Sequence, residues 1–204
     1  MAITSFAALS ALPIAEELEH VAAALREVTV RVRIGGSGEG AGVLWRPDGI
    51  VVTNAHVARG RAGEVRLPDG RTVDATLAAR DARLDLAALR IPAGTYPIAA
   101  HCEATSLVPG ALVLAFGHPL GVPNALSLGV VHHVASDDSG EPRWIRADIR
   151  LSPGNSGGPL ADAHGRVVGI NTLVAGGLGY ALPLNIVARF LEWAGLTTPG
   201  RRAA

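Results

Sequence analysis

Hydrophobic residues near the amino end follow two different periods in succession. Apolar side chains recur every three or four residues from Leu18 to Val28, which predicts an amphipathic leading helix over about residues 14–27. From Val28 to Ile34, valine and isoleucine alternate with threonine and arginine. This alternation is typical of a β-strand with one buried face.

The following residues carry an all-β pattern. Short β-branched runs are bounded by turn sequences, notably Pro-Asp-Gly at 47–49 and again at 68–70. They form two successive sets, which predicts two six-stranded antiparallel β-barrels with a boundary near residues 100–109. The predicted strands lie near residues 28–34, 42–46, 49–53, 63–67, 72–79, 86–91, 96–99, 111–116, 125–134, 143–149, 158–161, 166–173 and 179–183.

Helical spacing returns in the last periodic segment, from Ile186 to Ala194. Asn185 is the predicted N-cap of this closing helix, and Gly195 lies beyond its end. The predicted organisation is therefore a leading segment, a first barrel, and a second barrel with its closing helix. These units span residues 1–27, 28–104 and 105–204.

The segment from Pro153 to Leu160, with the sequence PGNSGGPL, contains a candidate nucleophile. Ser156 lies among glycines, so its hydroxyl is accessible and nearby backbone N–H groups can converge on the oxygen of a bound carbonyl. A glycine-rich turn without chemistry would have a similar composition. Two other segments make the catalytic interpretation stronger.

The first of these segments is the apolar strand Val51 to Thr53, which leads into His56. Imidazole titrates near neutral pH, so this histidine can accept the serine proton and later return it to a leaving group. The second is Leu84 to Ile91, where Asp85 lies between apolar residues. A carboxylate in such surroundings needs a partner, and the Nδ1–H group of a histidine is a suitable one.

We therefore predict a catalytic triad with Ser156 as nucleophile, His56 as general base and Asp85 as the residue that orients the histidine. The chain order His, Asp, Ser matches the chymotrypsin arrangement. Asp81 is a rival for the orienting role, but Asp85 lies in the apolar strand. The predicted fold class is all-β, and the predicted enzyme is a serine endopeptidase.

The chain from about Val28 to Val187 resembles the HtrA (Deg) serine proteases. This resemblance implies a double β-barrel, with His56 and Asp85 from the first barrel and Ser156 from the second meeting in the cleft between them. The motifs that carry it are those at residues 47–57, 81–87, 153–160, 169–172 and 179–183.

The same resemblance implies how a substrate would be held. The oxyanion hole would lie at Gly154, Asn155 and Ser156, with the backbone N–H groups of Gly154 and Ser156 as its donors. An edge strand would pair with the main chain of a polypeptide substrate. That strand would comprise Thr172, Leu173 and Val174.

Arg150 and Leu151 are the predicted residues of the specificity pocket. Trypsin-like enzymes that cleave after basic residues have an aspartate six residues before the serine, and Arg150 occupies that position here. Leu151 corresponds to a pocket-lining residue of the HtrA proteases, so we expect a small or medium aliphatic P1 residue such as valine or alanine. If Arg150 points into the pocket, an acidic P1 residue is favoured instead.

Asn155 also bears on activation. Digestive-type zymogens need an aspartate just before the serine, to pair with a newly formed amino terminus, and an asparagine has no charge to offer. We therefore expect no activation by cleavage within the sequence Arg-Ile-Gly-Gly at residues 33–36.

Composition limits the partners of this chain. Basic and acidic residues balance at 18 each, which argues against nucleic acid, and no apolar stretch is long enough for membrane insertion. The other six histidines lack metal-binding spacing, so we expect no metal and no cofactor. Cys102 is the single cysteine and cannot form an internal disulfide.

The two ends of the chain lead to further expectations. Residues 2–15 are apolar but lack a preceding basic residue, so we expect a cytoplasmic protein, with export to the periplasm as the alternative. After the closing helix only residues 196–204 follow, so we expect no PDZ domain. If the chain forms a homo-oligomer, the HtrA resemblance implies a trimer assembled through the amino-terminal segment.

Two other functions fit parts of the sequence. Residues 154–158 satisfy the nucleophile-elbow pattern of α/β-hydrolases, but a helix should follow the serine there, whereas Pro159 and a β-like run follow it here. The second is a catalytically silent peptide-binding module on the protease fold. All three triad residues are present, which favours the enzyme.

Overall fold

The computed structural model describes residues 13–35 and 39–197, which form β-strands between two terminal helices. Single turns of 3₁₀ helix occur at Ala104–Ser106 and Pro119–Gly121. The helices and strands are α1 (Pro13–Val28), β1 (Thr29–Ile34), β2 (Gly40–Arg46), β3 (Ile50–Thr53), β4 (Ala62–Arg66), β5 (Thr72–Asp81), β6 (Leu86–Arg90), β7 (Leu112–Gly117), β8 (Ala125–Ser136), β9 (Pro142–Asp148), β10 (Pro159–Asp162), β11 (Val167–Ala175), β12 (Leu178–Pro183) and α2 (Leu184–Trp193).

The strands close into two barrels, as predicted. The first has the order β1-β2-β3-β6-β5-β4 and the second the order β10-β11-β12-β9-β8-β7, and all neighbouring strands within each barrel are antiparallel. This topology excludes the α/β-hydrolase alternative, because that fold needs a parallel sheet and a helix directly after the serine. Here Ser156 is followed by β10.

Two strands of the first barrel bury both of their faces. In β3 and β6, Val51 and Leu89 fill the interior of the first barrel, while Val52 belongs to a core that also contains residues of the second barrel and both helices. The sequences of these two strands are therefore nearly continuous apolar runs, without the alternation of a strand that has one exposed face. The shared core joins the two barrels to each other and to both helices.

The terminal helices match the prediction except at one cap. Pro183, rather than Asn185, is the N-cap residue of α2. The Asn185 side chain instead donates to the carbonyl oxygen of Pro142 at 2.9 Å. The end of α2 is as predicted, because Gly195 adopts φ of 67° and the N–H of Leu196 donates to the carbonyl of Leu191 at 2.8 Å.

The strand predicted at residues 96–99 is wrong. Pro97 has no N–H group to donate to a strand ladder, and the segment runs as irregular backbone between the barrels. The first barrel's strands end at Arg90 and those of the second begin at Leu112. The division between residues 104 and 105 stays a prediction.

Some expectations fall on residues outside those described. These are the signal-peptide argument on residues 1–12, the glycine at position 36 of the cleavage-site argument, and the terminal residues 198–204. Within the described ranges, no helix is both long and apolar enough to cross a bilayer.

Candidate active site

His56 and Asp85 meet because β3 and β6 are antiparallel neighbours. Thr53, the last residue of β3, pairs with Ala87 near the start of β6, so the loops that carry His56 and Asp85 emerge side by side. The Nδ1 atom of His56 lies 2.7 Å from Oδ2 of Asp85. The backbone N–H of His56 donates to the other carboxylate oxygen at 2.9 Å, so Asp85 holds the histidine at two points.

The backbone of Asp85 has a left-handed conformation, with φ of 54°. Such a conformation costs a non-glycine residue about 1–3 kcal/mol and needs support from its surroundings. The support comes from two hydrogen bonds to the Asp85 carbonyl oxygen, from the N–H of Ala55 at 3.1 Å and from Nδ2 of Asn54 at 2.9 Å. The Asp85 carboxylate is only partly buried, with 28% of its side chain exposed.

Asp81, the rival orienting residue, has a different task. Its Oδ1 atom accepts hydrogen bonds from the N–H groups of Arg83 and Leu84, at 2.7 and 3.0 Å. Asp81 therefore caps the turn that leads to Asp85, and it is Asp85 that pairs with His56.

Ser156 lies on a tight turn between β9 and β10 that both barrels hold. Within the second barrel, the N–H of Gly157 donates to the carbonyl of Asn171 at 2.8 Å. From the first barrel, the N–H of Ala41 donates to the carbonyl of Ser156, also at 2.8 Å. Gly157 has φ of 84°, and a side chain there would overlap the Ala41 carbonyl, so glycine is required for this contact.

The turn leaves two backbone donors free beside the serine. Neither the N–H of Gly154 nor that of Ser156 is hydrogen-bonded to another residue in the described part of the chain. Asn155 supplies no third donor, because its N–H is used within the turn and donates to the carbonyl of Ser152 at 3.0 Å. Two free N–H groups beside the serine are the donors that the predicted oxyanion hole needs.

The backbone of His118 supports this turn, a role that the sequence did not predict. Its N–H donates to the carbonyl of Gly154 at 3.1 Å, and its own carbonyl lies where a side chain on Gly154 would be. Gly154 has φ of 106°. Burial, followed by the nearby positive charge of Arg31, lowers the pKa of His118, and Nδ1 of its imidazole accepts the N–H of Asn124 at 3.2 Å.

His56 and Ser156 line the same cavity, of about 410 Å³. The Ser156 hydroxyl donates to the carbonyl oxygen of Thr172 at 3.2 Å, rather than to the imidazole. His56 and Ser156 therefore share one cleft between the barrels, Asp85 reaches it through its bond to His56, and the Ser156 hydroxyl is bonded to β11.

Only one of the two predicted specificity residues lines this cavity. Leu151 lines it, whereas Arg150 does not and is exposed to solvent. Gly179 on β12 makes room for Leu151, because a side chain at Gly179 would approach Cδ1 of Leu151 to 2.9 Å. The remaining lining residues are Ser152, Pro153, Asn155, Asn171, Thr172, Leu173 and Val174.

The predicted substrate-binding strand is an open edge of the second barrel. Strand β10 pairs with β11 only as far as Ile170, whereas β12 continues along the other side of β11 to Ala175. Residues 172–174 therefore face the cavity without a strand neighbour on that side, and Leu173 and Val174 are exposed. Backbone groups in this position can pair with an extended peptide.

The described residues contain no cluster of three or more histidine, cysteine, aspartate or glutamate side chains placed to share a metal ion. Cys102 is partly buried and packs beside the core of the second barrel, with its Sγ atom 3.3 Å from Oγ of Ser106.

Comparisons with known proteins identify the family of this chain and several relatives. The family model described as the trypsin-like peptidase domain matches residues 40–170. HhoB of Synechocystis sp. is 35% identical over 165 residues, which cover 76% of this chain and 40% of that protein. HhoA of the same organism is 37% identical over 161 residues, covering 73% and 41%.

A third relative is the mitochondrial serine protease HTRA2 of Drosophila willistoni. It is 35% identical over 165 residues, which cover 76% of this chain and 38% of that protein. The chain thus spans about two fifths of the length of these relatives. The matched segment contains the whole of the His56, Asp85 and Ser156 constellation, and this chain belongs to the trypsin-like peptidase family, with HtrA-type serine proteases among its homologues.

Proposed function

We propose that this chain is a serine endopeptidase that hydrolyses peptide bonds through an acyl-enzyme intermediate. The observation that carries the proposal is the pairing of His56 with Asp85 on the wall of the same cleft as Ser156. The open edge at residues 172–174 lies on that cleft and suits an extended polypeptide.

In the first half of the reaction, Oγ of Ser156 attacks the scissile carbonyl carbon and its proton passes to Nε2 of His56. Asp85 accepts the Nδ1–H of the imidazole, so Nε2 is the nitrogen that is free to take the proton. Negative charge develops on the carbonyl oxygen, where the N–H groups of Gly154 and Ser156 stabilise it.

In the second half, His56 returns its proton to the leaving amine and the C–N bond breaks. Water then attacks the acyl-enzyme, giving one proton to His56, and the ester bond to Ser156 breaks to release the carboxylic acid. The proton on His56 returns to the Ser156 oxygen, which restores the free enzyme.

The carbonyl of Thr172 links substrate binding to this first step. That carbonyl accepts the Ser156 hydroxyl at 3.2 Å, and it also belongs to the edge on which a peptide would lie. A substrate N–H group that pairs with Thr172 would compete for the carbonyl. The hydroxyl would then be released to turn towards His56, which lines the same cavity.

Labelling with an organophosphate tests the proposal directly. We expect the Ser156 oxygen to displace the leaving group of the reagent, so that the wild-type protein gains the mass of one dialkylphosphoryl group, because His56 and the two free N–H groups activate that hydroxyl. The Ser156→Ala variant is the control and should gain none. A wild-type protein that binds peptides but is neither labelled nor able to cleave them would instead be the silent binding module.

We further propose a small or medium aliphatic P1 residue. Leu151 lines the cavity and Gly179 leaves space for it, whereas Arg150 lies outside in solvent. Profiling with a peptide library should show preference for valine or alanine, and the Arg150→Ala variant should keep this preference. A strong preference for glutamate or aspartate that disappears in Arg150→Ala would contradict the assignment.

We also propose that activity does not require cleavage between Arg33 and Ile34. This bond lies inside β1, where Arg33 pairs with Glu64 and Ile34 with Gly63 of β4. The Ile34 side chain is 1% exposed, within the interior of the first barrel. Cleavage there would cut a paired strand and not release a mobile terminus.

A further inference from the structure

Asn54 is buried between the two halves of the catalytic constellation. Its side chain is 0% exposed, and it lies two residues before His56. One hydrogen of its amide group is donated to the carbonyl oxygen of Asp85 at 2.9 Å. The other is donated to Oγ1 of Thr172, on the opposite barrel, at 3.2 Å.

The direction of the bond to Thr172 is fixed by its neighbours. The Thr172 hydroxyl donates its own hydrogen to the carbonyl of Ile170 at 2.9 Å, so its oxygen can only accept from Asn54. Thr172 is 3% exposed, and its main-chain carbonyl accepts the hydroxyl of Ser156. A chain of directed hydrogen bonds therefore runs from the residue that orients His56 to the residue that holds the nucleophile.

Fold stability alone does not account for an asparagine at this position. Its Oδ1 atom is buried and has no hydrogen-bond partner among the described residues. A buried polar atom without a partner is destabilising, and an apolar side chain of similar volume would avoid that cost. The Asn54 amide group is explained by its two donated hydrogen bonds, both of which end on residues of the candidate active site.

We propose that Asn54 is a positioning residue that sets the distance between Asp85 and Thr172 across the cleft. This inference rests on the proposed peptidase function. Asn54 touches neither substrate nor reacting atoms. It acts by holding the left-handed backbone of Asp85 at a fixed distance from the strand that carries Thr172. Because Asp85 bonds to His56, this also fixes the position of the imidazole.

The test compares Asn54→Ala with Asn185→Ala in peptide hydrolysis. Asn185 makes two amide hydrogen bonds far from the cleft, to Glu141 and Pro142, and so matches the number of bonds lost. We expect Asn54→Ala to lower kcat by about 10- to 100-fold with a smaller change in KM, because displacement of reacting groups costs rate more than affinity. Asn185→Ala should keep the wild-type kcat.

Two readouts separate positioning from a general loss of structure. The downfield proton NMR signal of the hydrogen between His56 and Asp85 should shift or broaden in Asn54→Ala and stay unchanged in Asn185→Ala. Thr172→Val should lower kcat by a similar factor, Thr172→Ser should restore most of it, and the double variant Asn54→Ala/Thr172→Val should be no worse than either single variant.

The possible outcomes are distinct. If Asn54→Ala does not fold, the pair Thr172→Val and Thr172→Ser still decides the matter, because both keep the side-chain volume close to that of threonine. An active wild type in which these variants retain full kcat and an unchanged proton signal overturns the role of Asn54. A wild type without activity or labelling overturns the proposed function instead.

Discussion

Replacing His56 by alanine should lower kcat by about 10⁶-fold, and Ser156→Ala should cost about as much. The reason is that the two residues carry out one proton transfer, so either loss removes the same step. The double variant His56→Ala/Ser156→Ala should therefore be no slower than the single ones. Hydrolysis of a fluorogenic peptide measures all three against wild type.

An exposed histidine provides the control for this experiment. His132 lies on β8 at the surface, and His132→Ala should leave kcat unchanged. Thermal unfolding of His56→Ala should resemble that of wild type, because the side chain is 39% exposed and fills no core position. A His56→Ala protein that keeps a tenth of the activity would contradict the assignment of His56 as general base.

The second large effect is expected for Asp85→Asn, which should lower kcat by about 10⁴-fold. An asparagine in this place can still accept the backbone N–H of His56. Its amide nitrogen, however, would donate a hydrogen bond to Nδ1 of the imidazole. Nδ1 then carries no hydrogen, so the neutral imidazole has its proton on Nε2. In that tautomer the imidazole cannot take the proton of Ser156.

Asp81→Asn separates Asp85 from its rival. Asp81 caps the turn at Arg83 and Leu84 and makes no contact with the imidazole, so its substitution should change kcat by less than about tenfold. Comparable losses in Asp81→Asn and Asp85→Asn would show that the pairing seen in the structure does not orient the catalytic histidine.

Much of the fold was predictable because local signals and tertiary structure agree. Turn sequences such as that at 47–49 bound the strands, and the apolar run 50–53 is buried on both faces. The exceptions arise where a tertiary contact overrides a local preference. Asn185 has the chemistry of an N-cap, but its side chain bonds to the hairpin at Pro142, and the helix begins at Leu184 instead.

The site was predictable to the extent that its residues lie in short motifs. The role of Asn54 was not, because it depends on a bond to Thr172, which lies 118 positions away in the chain. The position of Arg150 was not predictable either, since the motif alone does not show which of two adjacent residues faces the cavity. Neighbouring side chains of an extended segment point to opposite sides, and here Leu151 faces inward.

The division of the site between two closed barrels has a consequence for regulation. Neither barrel contains a full set of reacting groups, so catalytic activity depends on how the two barrels contact each other. The bond from Ala41 to Ser156 is one backbone link across that contact. Any change that alters how the barrels pack should therefore alter the rate, even when it touches neither the substrate nor the reacting groups.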